Sequence, residues 1–150
     1  MTEAPLPEVR GREEAFAALR ALYERLGEAI ARLGPVCRTR GLCCRFEEAG
    51  HELFATDLEV DYAAALHPEA PPPEAPGRCP HHRAGLCTAR EGRPLGCRVY
   101  FCDPAYAPQM PDLHESAYAE IRAIAARAGY AHRYRRFPEA LAERWGIGEP

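Results

Sequence analysis

The chain contains no lysine and no asparagine, and all nineteen of its basic residues are arginine. Serine and glutamine are almost missing too, represented by Ser116 and Gln109 alone. Without a lysine amine there is no Schiff-base chemistry, and a serine-hydrolase or amide-dependent site has almost nothing to be built from. Long apolar runs are also absent. The N-terminal stretch MTEAPLPEVRGREEAF has no apolar h-region, and no later run approaches the roughly 20 apolar residues of a membrane helix. These absences predict a cytoplasmic protein with no membrane contact. A net charge of −3 leaves no electrostatic footprint for nucleic acid or an anionic lipid surface.

What the chain does have is cysteine, seven residues confined to two short pieces. Cys37, Cys43 and Cys44 form the first, and Cys79, Cys87, Cys97 and Cys102 the second. Thiols are held reduced in the cytoplasm, so clustered cysteines there point to metal or catalysis more than to a disulfide framework. The odd count agrees, since disulfides alone would leave one thiol over.

A length of 150 residues fits one domain. Residues 1–11, with Pro5, Pro7 and Gly11, read as a flexible tail ahead of a single domain over 12–150. Phe16, Leu19, Leu22, Tyr23, Leu26, Ile30 and Leu33 recur at helical spacing, and Gly34-Pro35 ends the helix they define. Residues 44–55 alternate weakly around Ala49-Gly50, which predicts a short hairpin with Phe46, Leu53 and Phe54 as core contacts. Thr56 and Glu59 have capping-box spacing ahead of a helix to about Leu66. Pro68, Pro71-Pro72-Pro73 and Pro76-Gly77 force an extended connection. Strands are predicted near Leu86–Ala89 and Arg98–Phe101, joined by a turn at 91–94, with a proline-rich loop over 103–111. Asp112 is placed as the cap of a helix ended by Gly129, and a last helix covers about 138–145, giving C-terminal helices over 112–146. Phe137 and Trp145 are its expected anchors. The fold expected is a small, mainly helical α+β domain: helices packed around an irregular cysteine-rich centre with a few short strands.

A divalent metal gripped by thiolates needs clustered ligands and a backbone able to turn around the ion. Gly41 sits within the first piece, and Pro80, Gly85, Gly96 and Pro104 punctuate the second. Neither piece has the two-plus-two spacing of a zinc ribbon, so number and clustering carry the metal reading. Cys43 and Cys44 are adjacent and point to opposite sides of an extended chain, so a tight turn or two centres is required. Seven thiolates exceed the four of one zinc; two sites or an iron–sulfur centre would use more of them. The plainer alternative is four zinc ligands, with the other thiols as small buried hydrophobes.

These motifs are similar to those of the YkgJ-type cysteine-cluster family, described as zinc- or iron-chelating domains and often as iron–sulfur proteins. The family pattern runs Cys-x2-Cys-Gly-x-Cys-Cys, a Thr-x-x-Glu helix start, a Gly-x-Cys turn and an Arg-Pro-x-x-Cys-Arg-x-Tyr-x-Cys ending. This chain supplies Cys37, Gly41, Cys43 and Cys44; Thr56 and Glu59; Cys79, Gly85 and Cys87; then Arg93, Pro94, Cys97, Arg98, Tyr100, Phe101 and Cys102. The resemblance covers about residues 37–102. It implies an iron or iron–sulfur centre slightly ahead of zinc, held by the seven cysteines. Arg40 stands where the family has its second cysteine, which leaves three alternatives: His81 or His82 replaces the ligand, a coordination position is open, or that cysteine was never needed.

Arg93 and Arg98 flank Cys97. They either neutralise thiolate charge and donate hydrogen bonds to the ligands, or bridge to surface carboxylates such as Glu91. His51, His67, His114 and His132 are weaker ligand candidates. Tyr130, Arg133, Tyr134, Arg135 and Arg136 form a basic, aromatic patch, read as a solvated helix edge ahead of a contact for an anionic partner. Three functions are therefore carried forward: a metal-binding cysteine-cluster protein, a metal-dependent redox or protein-modifying enzyme, and a structural zinc module that binds a protein partner.

Overall fold

The computed structural model describes residues 10–35, 53–68, 79–83, 86–87, 89–99 and 105–144. It has a mainly helical α+β architecture, as its composition of amphipathic stretches requires. Helix α1 (Arg12–Leu33) buries Ala15, Leu19, Leu22, Tyr23, Leu26 and Ile30, one stripe at three- and four-residue spacing. It stops where expected: Gly34 adopts φ 65°, and its N–H reaches the Ile30 carbonyl at 3.0 Å.

Strand β1 (Phe54–Thr56) leads directly into helix α2 (Asp57–Leu66). Thr56 is the N-cap, its hydroxyl accepting from the Glu59 N–H. Every residue of α2 from Asp57 to Ala64 is buried, because the helix lies between two packed clusters. Leu58 and Tyr62 join the α1 stripe in the first, with the Tyr62 ring meeting Phe16 and Tyr23 edge-on at 5.4 and 5.8 Å. Val60, Ala63 and Ala64 join Leu53, Ala55, Cys79 and Cys97 in the second. Leu19 and Leu58 are enclosed completely, each contributing roughly 1.5–3 kcal/mol of burial.

A two-residue pair follows, β2 (His82–Arg83) antiparallel to β3 (Leu86–Cys87). After a 3₁₀ turn at Arg90–Gly92 comes the short helix α3 (Leu95–Val99), then helix α4 (Met110–Ala128), strand β4 (Tyr134–Arg136) and helix α5 (Phe137–Arg144). Helix α4 lays Ala117, Ile121, Ile124 and Ala128 against α1 and ends at Gly129, whose φ of 97° excludes most side chains. Phe137 is buried in the second cluster, the anchor expected of it, whereas Trp145 lies outside the described residues.

Several local expectations are corrected. Most of the hairpin expected over 44–55 lies outside the described residues, and Phe54–Thr56 pairs with Tyr134–Arg136. Leu86–Cys87 pairs with β2, and Arg98–Val99 belongs to a helix, not a strand, because Leu95 and Val99 bury one helical face. Asp112 sits in the first turn of α4 and is not its cap; Gln109 holds that position with no side-chain bond. The basic patch at 130–136 is a loop and a strand, not a helix edge. Among the described residues no helix is long and apolar enough to cross a membrane.

The core helix α2 carries three carboxylates, and burial of each demands partners. Asp61, fully enclosed, accepts from the Arg144 Nε and from the Tyr130 hydroxyl at 2.6 Å, with Arg12 at 3.8 Å. Asp57 pairs with Arg135 at 3.1 Å and Arg133 at 3.6 Å. The patch that looked available for an anionic partner is thus partly neutralised from within the fold, as Arg135 also holds Glu143 at 2.7 Å.

Candidate metal centre

Cys97 sits in the middle of α3, a helix too short to persist alone. Both of its ends are held from elsewhere. The third α2 carboxylate, Glu59, accepts the Leu95 N–H at 2.9 Å through Oε2, while Oε1 takes the Thr56 hydroxyl at 3.1 Å. At the other end the buried Tyr106 hydroxyl donates to the Val99 carbonyl at 2.7 Å. Leu95 and Val99 face the first cluster, so Cys97 turns to the second, where Cys79 also lies. Both side chains are buried, Cys97 8% and Cys79 4% exposed. Gly96 allows α3 to close on Leu53: a Cβ there would stand 2.5 Å from Leu53 Cδ1.

His81, two residues beyond Cys79, is buried, and its ring centroid is 5.7 Å from that of His67 at the end of α2. The 3₁₀ turn before α3 reaches the same corner. A Cβ on Gly92 would come within 3.0 Å of the His67 ring and 3.2 Å of the Ala63 Cα, so any other residue would push these neighbours back by a few tenths of an ångström. Composition gave His67 no prominence; its proximity to His81 follows from the tertiary packing of α2.

Among the described residues Arg98 contacts backbone carbonyls and an aromatic ring, not a carboxylate. Its Nε donates to the Arg93 carbonyl at 2.7 Å and its Nη2 to the Glu91 carbonyl at 2.6 Å, while the guanidinium lies 3.7 Å from the centre of the buried Tyr23 ring. The Glu91 bridge expected from the sequence runs through backbone, not side chain. Arg93 donates its Nε to the Arg90 carbonyl at 2.9 Å.

Of the other predicted ligands, Cys87 lies on β3 directly across from His82 in the ladder. Cys37, Cys43, Cys44, Cys102 and His51 are outside the described residues. His132 is engaged with the Tyr118 hydroxyl at 3.3 Å, and burial lowers the pKa of His114. Among the described residues no three His, Cys, Asp or Glu side chains gather closely enough to hold an ion. The structure therefore brings together Cys79 and Cys97 in one cluster, with His81 buried beside Cys79 in sequence.

Burial raises the Glu59 pKa from 4.5 to about 7, against the opposing pull of the Leu95 and Thr56 hydrogen bonds and the Arg98 charge. The folded chain thus keeps this proton between pH 4.5 and about 7, where the unfolded chain has released it. Stability contributed by the neutral form is complete at the acidic end and declines as pH rises to about 7, by about 3 kcal/mol. Glu59→Gln keeps an acceptor for Leu95 and removes the titration. Urea midpoints measured across this interval should fall less in the variant than in the parent; equal slopes would show that Glu59 ionises normally.

Compared with family models, curated proteins and solved structures, the chain matches none of them. What the site does must come from its own residues.

Proposed function

We propose that the chain is a metal-binding cysteine-cluster protein whose ligands come from Cys37, Cys43, Cys44, Cys79, Cys87, Cys97 and Cys102. The observation that carries the reading is the placement of two cysteines, Cys79 and Cys97, in one packed cluster, with the Cys97 helix fixed at both ends. Two thiols from separate elements are half of a tetrahedral set. The donor chemistry fits soft metals: thiolates bind zinc and iron–sulfur centres in preference to calcium or magnesium. The five remaining cysteines, or His81 or His82, would supply the other ligands. The resemblance to the YkgJ-type pattern favours iron–sulfur over zinc.

Bound there, an iron–sulfur centre would supply one-electron chemistry, and zinc a fixed crosslink. The chain's own part is clear from its contacts. Glu59 and Tyr106 fix α3, and Gly92 and Gly96 let it close on α2 and Leu53.

An enzyme is the second reading, favoured by Arg40 at a position where the family pattern has cysteine, since a catalytic metal needs an open coordination position. In that case small anions or thiols would change the metal's spectrum without unfolding the chain. Absorption spectroscopy of anaerobically purified protein separates the metals. Broad visible absorption that bleaches on reduction is expected for iron–sulfur, and a colourless protein with stoichiometric zinc for the alternative. A colourless protein with neither metal would refute both.

A further inference from the structure

Between the C-terminal half of α1 and the segment leading into α3 lies an open cleft of about 410 Å³. Arg90, Arg93 and Arg98 line it on one side, and Tyr23, Gly27 and Ile30 of α1 on the other. Three arginines line this cleft in a chain whose net charge is −3. Among the described residues no carboxylate lines the cleft, and none pairs with Arg90 or Arg98. The negative end of the α1 dipole, equivalent to about half a charge, offsets only a fraction of this. Glu59, the acid whose charge Arg98 feels, is committed to Leu95 and Thr56.

The cleft is also preorganised. Backbone carbonyls hold the Arg93 and Arg98 side chains, and Arg98 is further fixed on the Tyr23 ring, so little rotamer freedom remains to be lost on binding. Gly27 is the second observation. A glycine within a helix costs about 1 kcal/mol relative to alanine, and here no tight packing requires it, since a Cβ at 27 would meet nothing within 4 Å. Its effect is to keep the wall of the cleft open.

We propose that this cleft binds a small organic oxyanion, a carboxylate or phosphate ester, with its charged head on Arg90 and Arg98 and its apolar body along α1 at Gly27 and Ile30. The volume is that of a small-molecule site. Forked guanidiniums match the two oxygens of either head group. The site adjoins the Cys97 helix but does not depend on a metal being bound there.

Calorimetric titration of the full chain at low salt with phenyl phosphate, benzoate and neutral benzyl alcohol tests this. At least one acid should bind saturably with a Kd below about 1 mM, and the alcohol should not. Tighter phenyl phosphate identifies the phosphate class, and tighter benzoate the carboxylate class. Arg90→Glu should weaken binding at least about tenfold by reversing one charge. Gly27→Leu should weaken it similarly by filling the cleft, while holding or raising the melting temperature because leucine is the better helix former. Metal content, measured on the same samples, should be the same in parent and variants, which separates this proposal from the metal reading. Absence of saturable binding by either acid, alcohol binding as tight as the acids, or affinities unchanged in both variants would overturn it.

Discussion

Arg144→Met is expected to cost about 3–5 kcal/mol of folding stability, a large share of what holds a domain of this size together. Asp61 lies at 0% exposure in the middle of α2, and Arg144 is its closest cationic partner, also bracing Asp57 at 3.8 Å. Methionine keeps much of the volume but leaves a carboxylate in the core with, among the described residues, the Tyr130 hydroxyl and a more distant Arg12. Removing both charges, as Asp61→Leu with Arg144→Met, should recover most of the loss, since the pair's own net contribution is small. By contrast, disrupting the exposed Arg25–Glu120 pair, at 3.3 Å and 60% and 49% exposed, should cost no more than about 1 kcal/mol. Urea denaturation of these variants provides the comparison. A cost below about 1 kcal/mol for Arg144→Met would show that the buried Asp61 carboxylate does not depend on Arg144.

Cys97→Ser is expected to reduce bound metal to below about a tenth of the parent's level. A serine hydroxyl is close in size to the thiol but remains protonated at neutral pH, so it replaces the volume without replacing the thiolate. Cys97 is placed by α3, and Glu59 and Tyr106 hold that helix by bonds to its backbone, which the substitution does not touch. Loss of metal with the helical circular-dichroism signal retained would identify Cys97 as a ligand. Unchanged metal content together with unchanged stability would remove it from the site.

Features governed by neighbouring residues were legible in the sequence. The α1 stripe, the Gly34 stop, the Thr56 cap and the end of α4 at Gly129 all depend on contacts within one turn of the chain. Features decided at long range were not. Val99 with the aromatic residues after it looks like a strand, yet the segment turns helical at Leu95, whose N–H is met by a carboxylate 36 positions away. Likewise β1 has no turn signal linking it to β4, because the partner arrives about eighty residues later and is held by the bond from Phe137 N–H to the Leu53 carbonyl.

The site was legible to the same extent. Cysteine clustering and proximity to turn residues marked Cys79 and Cys97, both now buried in one cluster. The Thr-x-x-Glu spacing announced a local cap but not that Glu59 would also cap the helix carrying Cys97. The arginine patch read as solvated because charge pattern alone could not reveal that Asp57, on a buried helix, would meet Arg133 and Arg135.

The most direct measurement is the number of metal atoms per chain in anaerobically purified protein, by elemental analysis, paired with a count of reactive thiols under native conditions. At least one iron or zinc per chain is expected, with fewer than seven thiols reacting until a chelator or denaturant releases the metal. A folded, metal-free chain in which chelator changes neither thiol reactivity nor stability would contradict the account.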